Sequence, residues 1–399
     1  MTGFFDSLET RSSDQRESDQ LAQVNAQLAR VAAAPGVCRI DSAPLASLAD
    51  LAKLPVLRKS DLAGWQAENP PFGGIPVGNV TQVFQSPGPI YEPGSTAHDW
   101  WRMGRFVHAC GIGAGDVVQN CFSYHMTPAG MMFENGAQAV GARVFPAGTG
   151  QTELQAQAAQ ALGVTAYAGT PDYLKVILDK AEELGLTLQI SKAAVGGGAL
   201  FPSLRQEYAD RGIACLQCYG TADLGNIAYE SPAMEGLIID EGVIVEIVTP
   251  GTGTPVAEGS VGEVVVTALN VGYPLIRFAT GDLSAIMPGV SPCGRTNKRI
   301  KGWMGRADQT AKIKGMFVRP EQVADFVARH DEVARARVVV SREGEQDAMQ
   351  VLVETDAQDT APFVESVAEV MKLKAQVKLV AEGSLPDDGK VIDDQRDYD

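Results

Sequence analysis

Ile213-Ala214-Cys215-Leu216-Gln217-Cys218-Tyr219-Gly220-Thr221-Ala222-Asp223-Leu224-Gly225 is an apolar, β-prone run that breaks into a turn. The turn carries a lone carboxylate among small residues, and the glycine on each side lets a flat ligand approach the backbone closely. A second glycine turn, Gly196-Gly197-Gly198, follows another apolar run, Ala193-Ala194-Val195. Arg277, Gly281-Asp282 and Gly305-Arg306 stand downstream, and together these stretches read as one ligand pocket.

Outward from this stretch the pattern is regular. Apolar strand candidates at 116–122, 142–146, 164–168, 193–197 and 213–218 alternate with helix candidates at 128–140, 151–162, 171–184 and 202–211. Such alternation implies a parallel sheet covered by helices, with ligands gathered at the carboxyl ends of the strands. After about residue 226, short strands between glycine turns take over, at 226–230, 236–248, 262–268 and 275–287. Near Asp308 the character changes again: a strand and glycine turn, a helix from Arg319 to His330, strands at 335–341 and 349–354, a helix at 361–373 and a strand at 376–380. The expected fold class is therefore α/β. A large domain, 1–307, holds a helix-covered, mostly parallel sheet and a β-subdomain at about 226–300; residues 308–399 form a small, mobile α+β domain. Upstream, 15–35 and 45–62 read as helical, the second halted at Pro55 and docking as a brace, and 96–109 reads as a helix. The acidic C-terminal stretch reads as a mobile tail.

The chain has 399 residues, 45% of them hydrophobic and 21% charged, with a net charge of −16. Long-range repulsion argues against nucleic acid or an anionic membrane as partner, so an anionic ligand has to meet local arginines or lysines. Met1-Thr2-Gly3-Phe4-Phe5-Asp6 has no basic leader pattern and no apolar run reaches spanning length, so a cytoplasmic protein is expected. Cys215 and Cys218 have metal-like spacing, but side chains three apart on a strand point to opposite faces; they read as packed thiols, and no metal is assigned to them.

One segment fits by position and not by chemistry. Gln85-Ser86-Pro87-Gly88-Pro89-Ile90-Tyr91-Glu92-Pro93 follows a strand candidate and precedes a helix candidate, as a phosphate-cradling loop does. Its three prolines remove backbone donors, and Glu92 puts a negative charge where phosphate wants a cation.

These stretches, in order, resemble the phenylacetate–CoA ligases, a branch of the adenylate-forming acyl-CoA synthetases. The likeness runs through Leu48-Ala49-Asp50-Leu51-Ala52-Lys53-Leu54-Pro55 with Lys59-Ser60-Asp61-Leu62, Gly148-Thr149-Gly150-Gln151-Thr152-Glu153, Thr170-Pro171-Asp172-Tyr173-Leu174 and Tyr219-Gly220-Thr221-Ala222-Asp223. It continues through Leu275 to Leu283, Gly305-Arg306-Ala307-Asp308 and Lys314-Gly315-Met316-Phe317-Val318-Arg319-Pro320. Any one motif is weak; seven in family order are specific.

The resemblance implies an ATP- and Mg²⁺-using enzyme that converts a small, aromatic carboxylic acid to acyl-AMP and passes the acyl group to CoA, working as a homodimer. It implies that Tyr219 stacks on adenine, with Gly220, Thr221, Gly197, Gly198, Ser86 and Gly88 around the nucleotide. Asp282 would accept from both ribose hydroxyls and Arg306 would reach ribose or phosphate. Lys390 would stabilise charge on the α-phosphate, Asp223 would help hold Mg²⁺, and Asp308 would be the hinge. Tyr124, His125 and Met126 fall where the family lines its acyl pocket; Met131 and Phe133, at helical spacing, suit core packing equally. Three departures stand out. Only Ser86, Gly88 and Pro93 of the family's phosphate loop survive, with Glu92 in place of its lysine. Asp223 replaces a glutamate. Acidic residues Asp387, Asp388, Asp393 and Asp394 surround Lys390 and compete with phosphate for it. These motivate a second reading, in which ATP activation is lost or reassigned and the protein binds AMP or an acyl-adenylate, acts on a preformed acyl-CoA, or only binds a partner.

Overall fold

The computed structural model describes residues 3–32, 40, 43–87, 89–307, 309, 311–313, 316–343 and 346–396. The chain forms two compact units. The first comprises Met1–Val245, Val266–Phe278 and Met287–Gly302; the second comprises Glu246–Val265, Ala279–Ile286 and Trp303–Asp399.

A mixed sheet dominates the first unit. Its parallel part runs in the order Arg143–Pro146, Val117–Asn120, Ala166–Gly169, Lys192–Val195, Ala214–Thr221, and Gly225–Tyr229, Leu237–Ile239 and Arg299–Ile300 extend it antiparallel. The intervening helices are Ala129–Ala139, Thr152–Ala161, Pro171–Glu183 and Pro202–Asp210. Pro171 and Pro202 open theirs at the first turn, where the missing N–H costs nothing. The core between sheet and helices buries Phe106, Phe133, Val118, Leu216 and Tyr229, each aromatic contributing about 2–3 kcal/mol by the area it removes from water. Gly136 sets how closely Ala129–Ala139 approaches the chain before Gly104–Ala109: a Cβ there would lie 2.4 Å from Met103 Cβ.

Two sequence expectations are corrected. The helix expected over 96–109 is confined to Gly104–Ala109. Asp99 and Arg102 adopt left-handed backbone, which interrupts a helix, and the Asp99 carboxylate instead accepts from the Gly104 N–H at 2.8 Å. At the other end, the acidic tail is partly ordered structure in the second unit. Ile392–Asp394 pairs in parallel with Val333–Glu343, in a sheet ordered Gln376–Val380, Gln346–Thr355, Val333–Glu343, Ile392–Asp394. Ile392 is buried in the core with Val338, Val351, Phe326 and Phe363, while Arg396 bridges to Asp347 and Asp394. The density of acid along this stretch masks the one apolar side chain that anchors it.

The 45–62 stretch is not one helix: a single tight turn, Leu48–Lys53, precedes the start of the Lys59–Glu68 helix. Its Leu45, Leu51 and Leu54 are buried in one cluster with Val24, Leu28 and Val31 of the Ser13–Ala32 helix and with Leu269 and Ile276. Arg11 and Arg16 close on the buried Glu241 carboxylate at 2.8 and 2.9 Å.

The 85–93 segment is part of a β-hairpin. Gln82–Ser86 and Ile90–Gly94 pair antiparallel with Phe84 opposite Glu92, so much of the backbone that could cradle an anion is spent on the ladder. Gln66 fixes the hairpin by donating to the Tyr91 carbonyl at 2.7 Å and accepting from the Tyr91 N–H at 2.8 Å. Glu92 is 1% exposed, and neither carboxylate oxygen has a hydrogen-bond partner among the described residues. Burial pushes its carboxyl from an ordinary 4.5 up to about 7; the Asp223 charge adds to this, while Ser86 and Lys59 oppose it. A raised carboxyl pKa stabilises the fold below about pH 4.5 and loses that contribution as pH climbs to 7, by at most about 3 kcal/mol. In chelator, Glu92→Gln should therefore melt higher than the native chain at pH 8 and level with it near pH 4. Equal melting temperatures at both pH values would refute the desolvated carboxylate.

Candidate functional site

In the first unit the Val117–Asn120 strand has Arg143–Pro146 on one side and Ala166–Gly169 on the other. The chain direction across the sheet reverses there, which opens a crevice at the carboxyl ends of the strands. Residues 121–126, Thr170, Gly196-Gly197-Gly198 and Tyr219 to Asp223 follow or occupy those ends. Gly197 takes a left-handed φ of +69° and, like Gly198, is exposed. Tyr219 is half-buried beside a bulge: it pairs with Ala228 while Gly220 pairs with Asn226. Bulges re-aim neighbouring side chains. Gly220 and Gly225 also serve the chain's own turn. A Cβ on Gly220 would meet the Gly225 carbonyl at 2.6 Å, and a Cβ on Gly225, which sits at φ +75°, would meet the Trp101 carbonyl at 2.6 Å. The Thr221 hydroxyl accepts from the Leu224 N–H at 3.2 Å and so closes the turn that carries Asp223.

Asp223 is buried, and its Oδ2 meets Lys59 Nζ at 2.6 Å. Its Oδ1 is buried without a hydrogen-bond partner among the described residues. Lys59 opens the Lys59–Glu68 helix and is a third exposed, so the pair has a route to solvent. Ser86 is buried on the hairpin strand that faces Ile90–Gly94.

Tyr124 is half-buried and its hydroxyl accepts from Asn120 Nδ2 at 2.7 Å. His125 and Met126 are exposed, Met126 in left-handed backbone. Phe133 lies in the core with Met131 packed against it, which is the packing role. Cys215 is buried and its thiol is pushed up to about 12 by that burial; burial raises Cys218 as well.

The second unit brings Asp282, Arg306 and Lys390 into one neighbourhood. Residues 304–307 run beside 281–283, with Leu283 N–H donating to the Gly305 carbonyl at 2.9 Å and Ala307 N–H to the Gly281 carbonyl at 2.7 Å. This backbone pairing aims two donors at Asp282 Oδ1: Arg306 Nη1 at 3.1 Å and Trp303 Nε1 at 3.0 Å. Arg306 and Lys390 line one hollow of about 190 Å³ with Leu283, Gly305 and Gln309. The Gln309 amide ties this wall together, donating to the Gly389 carbonyl at 3.1 Å and accepting from the Val391 and Ile392 N–H groups. Lys390 Nζ rests on Asp393 at 3.2 Å. Gly88, Asp308 and Lys314-Gly315 lie outside the described residues.

Lys59, Trp303 and Gln309 are features that sequence reasoning did not assign to a site. Lys59 had a signal, since it stands in a quoted motif; Trp303 and Gln309 had none beyond adjacency to Gly305-Arg306. Chemically, the second unit offers a buried carboxylate paired with a guanidinium, and an ammonium that lines one hollow with that guanidinium, which suits a diol next to a phosphate. Among the described residues no group of three or more His, Cys, Asp and Glu forms a metal cluster. Two carboxylates with water or phosphate suffice for Mg²⁺, and the unpartnered Asp223 Oδ1 fits that use.

A family model described as AMP-binding enzyme matches residues 96–272. Phenylacetate-coenzyme A ligase of Aromatoleum evansii is 30% identical over 329 residues, covering 78% of this chain and 73% of that protein. The enzyme of the same name from Escherichia coli (strain K12) is 31% identical over 330 residues, covering 77% and 73%. Among solved structures, an open conformation of 2-hydroxyisobutyryl-CoA ligase in complex with 2-HIB-AMP and CoA shares the fold, with a TM-score of 0.67 at 22% identity over 95% of this chain and 91% of that one. Motif order, sheet topology and these relatives agree, and the chain belongs to the phenylacetate–coenzyme A ligase family of AMP-binding enzymes.

Proposed function

We propose that the chain is an AMP-forming acid–thiol ligase that activates a small, aromatic carboxylic acid such as phenylacetate and transfers it to CoA. The observation that carries the reading is the second unit's pairing of a buried carboxylate, Asp282, with Arg306, which lines a hollow together with Lys390. Family membership favours this over the reading in which ATP activation is lost.

In this reading the acid's carboxylate oxygen attacks the α-phosphorus of ATP, pyrophosphate leaves, and the CoA thiol then displaces AMP. Asp282 accepts from the ribose hydroxyls, and Arg306, half-exposed, turns from Asp282 toward the ribose or phosphate. Lys390 leaves Asp393 to meet charge building on the α-phosphate; its ammonium is exposed, so the exchange costs little. Tyr219 offers a ring face to adenine. Asp223 contributes a carboxylate oxygen to Mg²⁺, which when bound neutralises phosphate charge. Residues after Asp308 act as the moving lid. A homodimer is the proposed assembly, and sedimentation velocity tests it. No helix among the described residues is long and apolar enough to cross a membrane.

Mixing the protein with ATP, Mg²⁺, CoA and a panel of aromatic and short aliphatic acids should release pyrophosphate and give an acyl-CoA detectable by mass. Silence across the panel from folded protein would overturn the reading. By calorimetry Mg²⁺–ATP should bind more tightly than AMP; equal or weaker ATP binding would favour the second reading instead. Lys390→Ala should slow acyl-AMP formation roughly 100-fold while leaving transfer from supplied acyl-AMP near the native rate. Asp282→Asn should lower kcat/KM for ATP by roughly 10- to 100-fold. Native-like kinetics in both variants would remove the second-unit site from the mechanism.

A further inference from the structure

The Gln309 side chain spends its whole hydrogen-bonding capacity on backbone. Its Nε2 donates to the Gly389 carbonyl at 3.1 Å and to the Arg306 carbonyl at 3.4 Å, while its Oε1 accepts from the Val391 N–H at 2.6 Å and the Ile392 N–H at 2.7 Å. A primary amide has two donors and one oxygen with two lone pairs, so this one is saturated. The same four bonds fix which way round the amide lies, because turning it over would set oxygen against two carbonyls. The residue is anchored at its own backbone too, where the Gln309 N–H donates to the Ala307 carbonyl at 2.8 Å.

Three of the four bonds land on the residues that flank Lys390. Gly389 takes a left-handed φ of +71°, and Ile392 opens the strand that pairs with Val333–Glu343, so the lysine sits between a fixed turn and a fixed strand. Its ammonium, half exposed, rests on Asp393, and its N–H donates to Asp388 Oδ1 at 3.0 Å. The stem can swing; the backbone it swings from is set by Gln309. Stabilising charge in a transition state depends on placement, and a displacement of about 1 Å can cost about 100-fold in rate.

We propose that Gln309 is the positioning residue for Lys390: it holds the backbone from which the ammonium reaches the α-phosphate, and it therefore governs acyl-AMP formation and not transfer to CoA. The Gly305-Arg306-Ala307-Asp308 motif ends one residue short of it, so the role comes from the amide contacts. It rests on the ligase reading for what Lys390 does.

Gln309→Leu is close in volume and removes all four side-chain bonds. With CoA omitted, first-turnover pyrophosphate release from ATP and the acid of the panel that reacts fastest reads acyl-AMP formation; with that acyl-AMP and CoA supplied, acyl-CoA appearance reads transfer. Gln309→Leu should slow the first roughly 10-fold, at a KM for ATP within about 2-fold of native, and leave the second near the native rate. The double variant Gln309→Leu with Lys390→Ala should be no slower than Lys390→Ala alone, because a residue that acts through the ammonium has nothing left to place. Independently of activity, hydrogen exchange at the Val391 and Ile392 amides should be faster in Gln309→Leu than in the native chain. Should Gln309→Leu unfold by circular dichroism, Gln309→Glu, which keeps an acceptor for the two N–H groups and loses both donors, carries the same comparisons. Native-rate acyl-AMP formation, equal slowing of both steps, an additive loss in the double variant, or unchanged exchange at 391 and 392 overturns the role. In a native chain that makes acyl-AMP those outcomes remove Gln309 alone, whereas a native chain silent in both steps overturns the ligase reading and this role with it.

Discussion

A carboxylate taken out of water has to find a cation, and the first unit is organised by that demand. Glu241 draws Arg11 and Arg16 from the N-terminal segment onto the end of the mixed sheet, Glu9 takes Arg295, and Arg105 spans Asp240 and Asp6. These pairs join residues from 99 to 286 positions apart in the chain, so they fix tertiary register as much as they stabilise. Breaking one by removing a single partner would strand a buried charge at about 3–5 kcal/mol. The Lys59–Asp223 pair is the same device placed at the site. It carries the start of the Lys59–Glu68 helix to the turn after Ala214–Thr221, and the Gln66 clamp then holds the hairpin from that helix. Electrostatic pairing and hairpin position are thus one construction.

The alternating strands and helices were legible because their signal is local. Val117–Asn120, Ala166–Gly169, Lys192–Val195 and Ala214–Thr221 each fall within two or three residues of the expected bounds, and the α+β elements after residue 319 do so as well. What was not legible depends on distant partners. Thr96 to Met103 has helical composition, yet Asp99 is recruited to cap Gly104 and the backbone turns left-handed. Ile392–Asp394 is hidden in acid, and only Val338 and its neighbours across the sheet make it a strand. At the site, Asp282 and Arg306 announced themselves through glycine-flanked motifs, whereas Trp303 reaches Asp282 only because residues 304–307 pair with 281–283. Glu92 was visible as a reversed charge, but its burial follows from the hairpin register and not from its neighbours in sequence.

In the second unit, Gln309 couples two features that sequence separates by eighty residues. Its amide holds the Gly389 carbonyl and the Val391 and Ile392 N–H groups, so the backbone on both sides of Lys390 is fixed to the segment that carries Arg306. Lys390 therefore has freedom in its side chain while its backbone stays tied to residue 309. Any rearrangement that moves Lys390 farther than its own stem reaches must first break three hydrogen bonds to one glutamine, at a net cost of about 1 kcal/mol each.

The cations available to a phosphate differ in what their release costs. Arg306 is bound to Asp282 and Lys390 to Asp393, but each side chain is about half exposed, 53% and 51%, so water and salt already compete for these pairs and an incoming anion exchanges with the acid at little expense. Lys59 is different. Its partner carboxylate is fully buried, and withdrawing the ammonium would leave Asp223 charged and unpaired in a low dielectric. A phosphate can recruit Arg306 and Lys390 by their side chains alone, whereas Lys59 stays where the fold needs it.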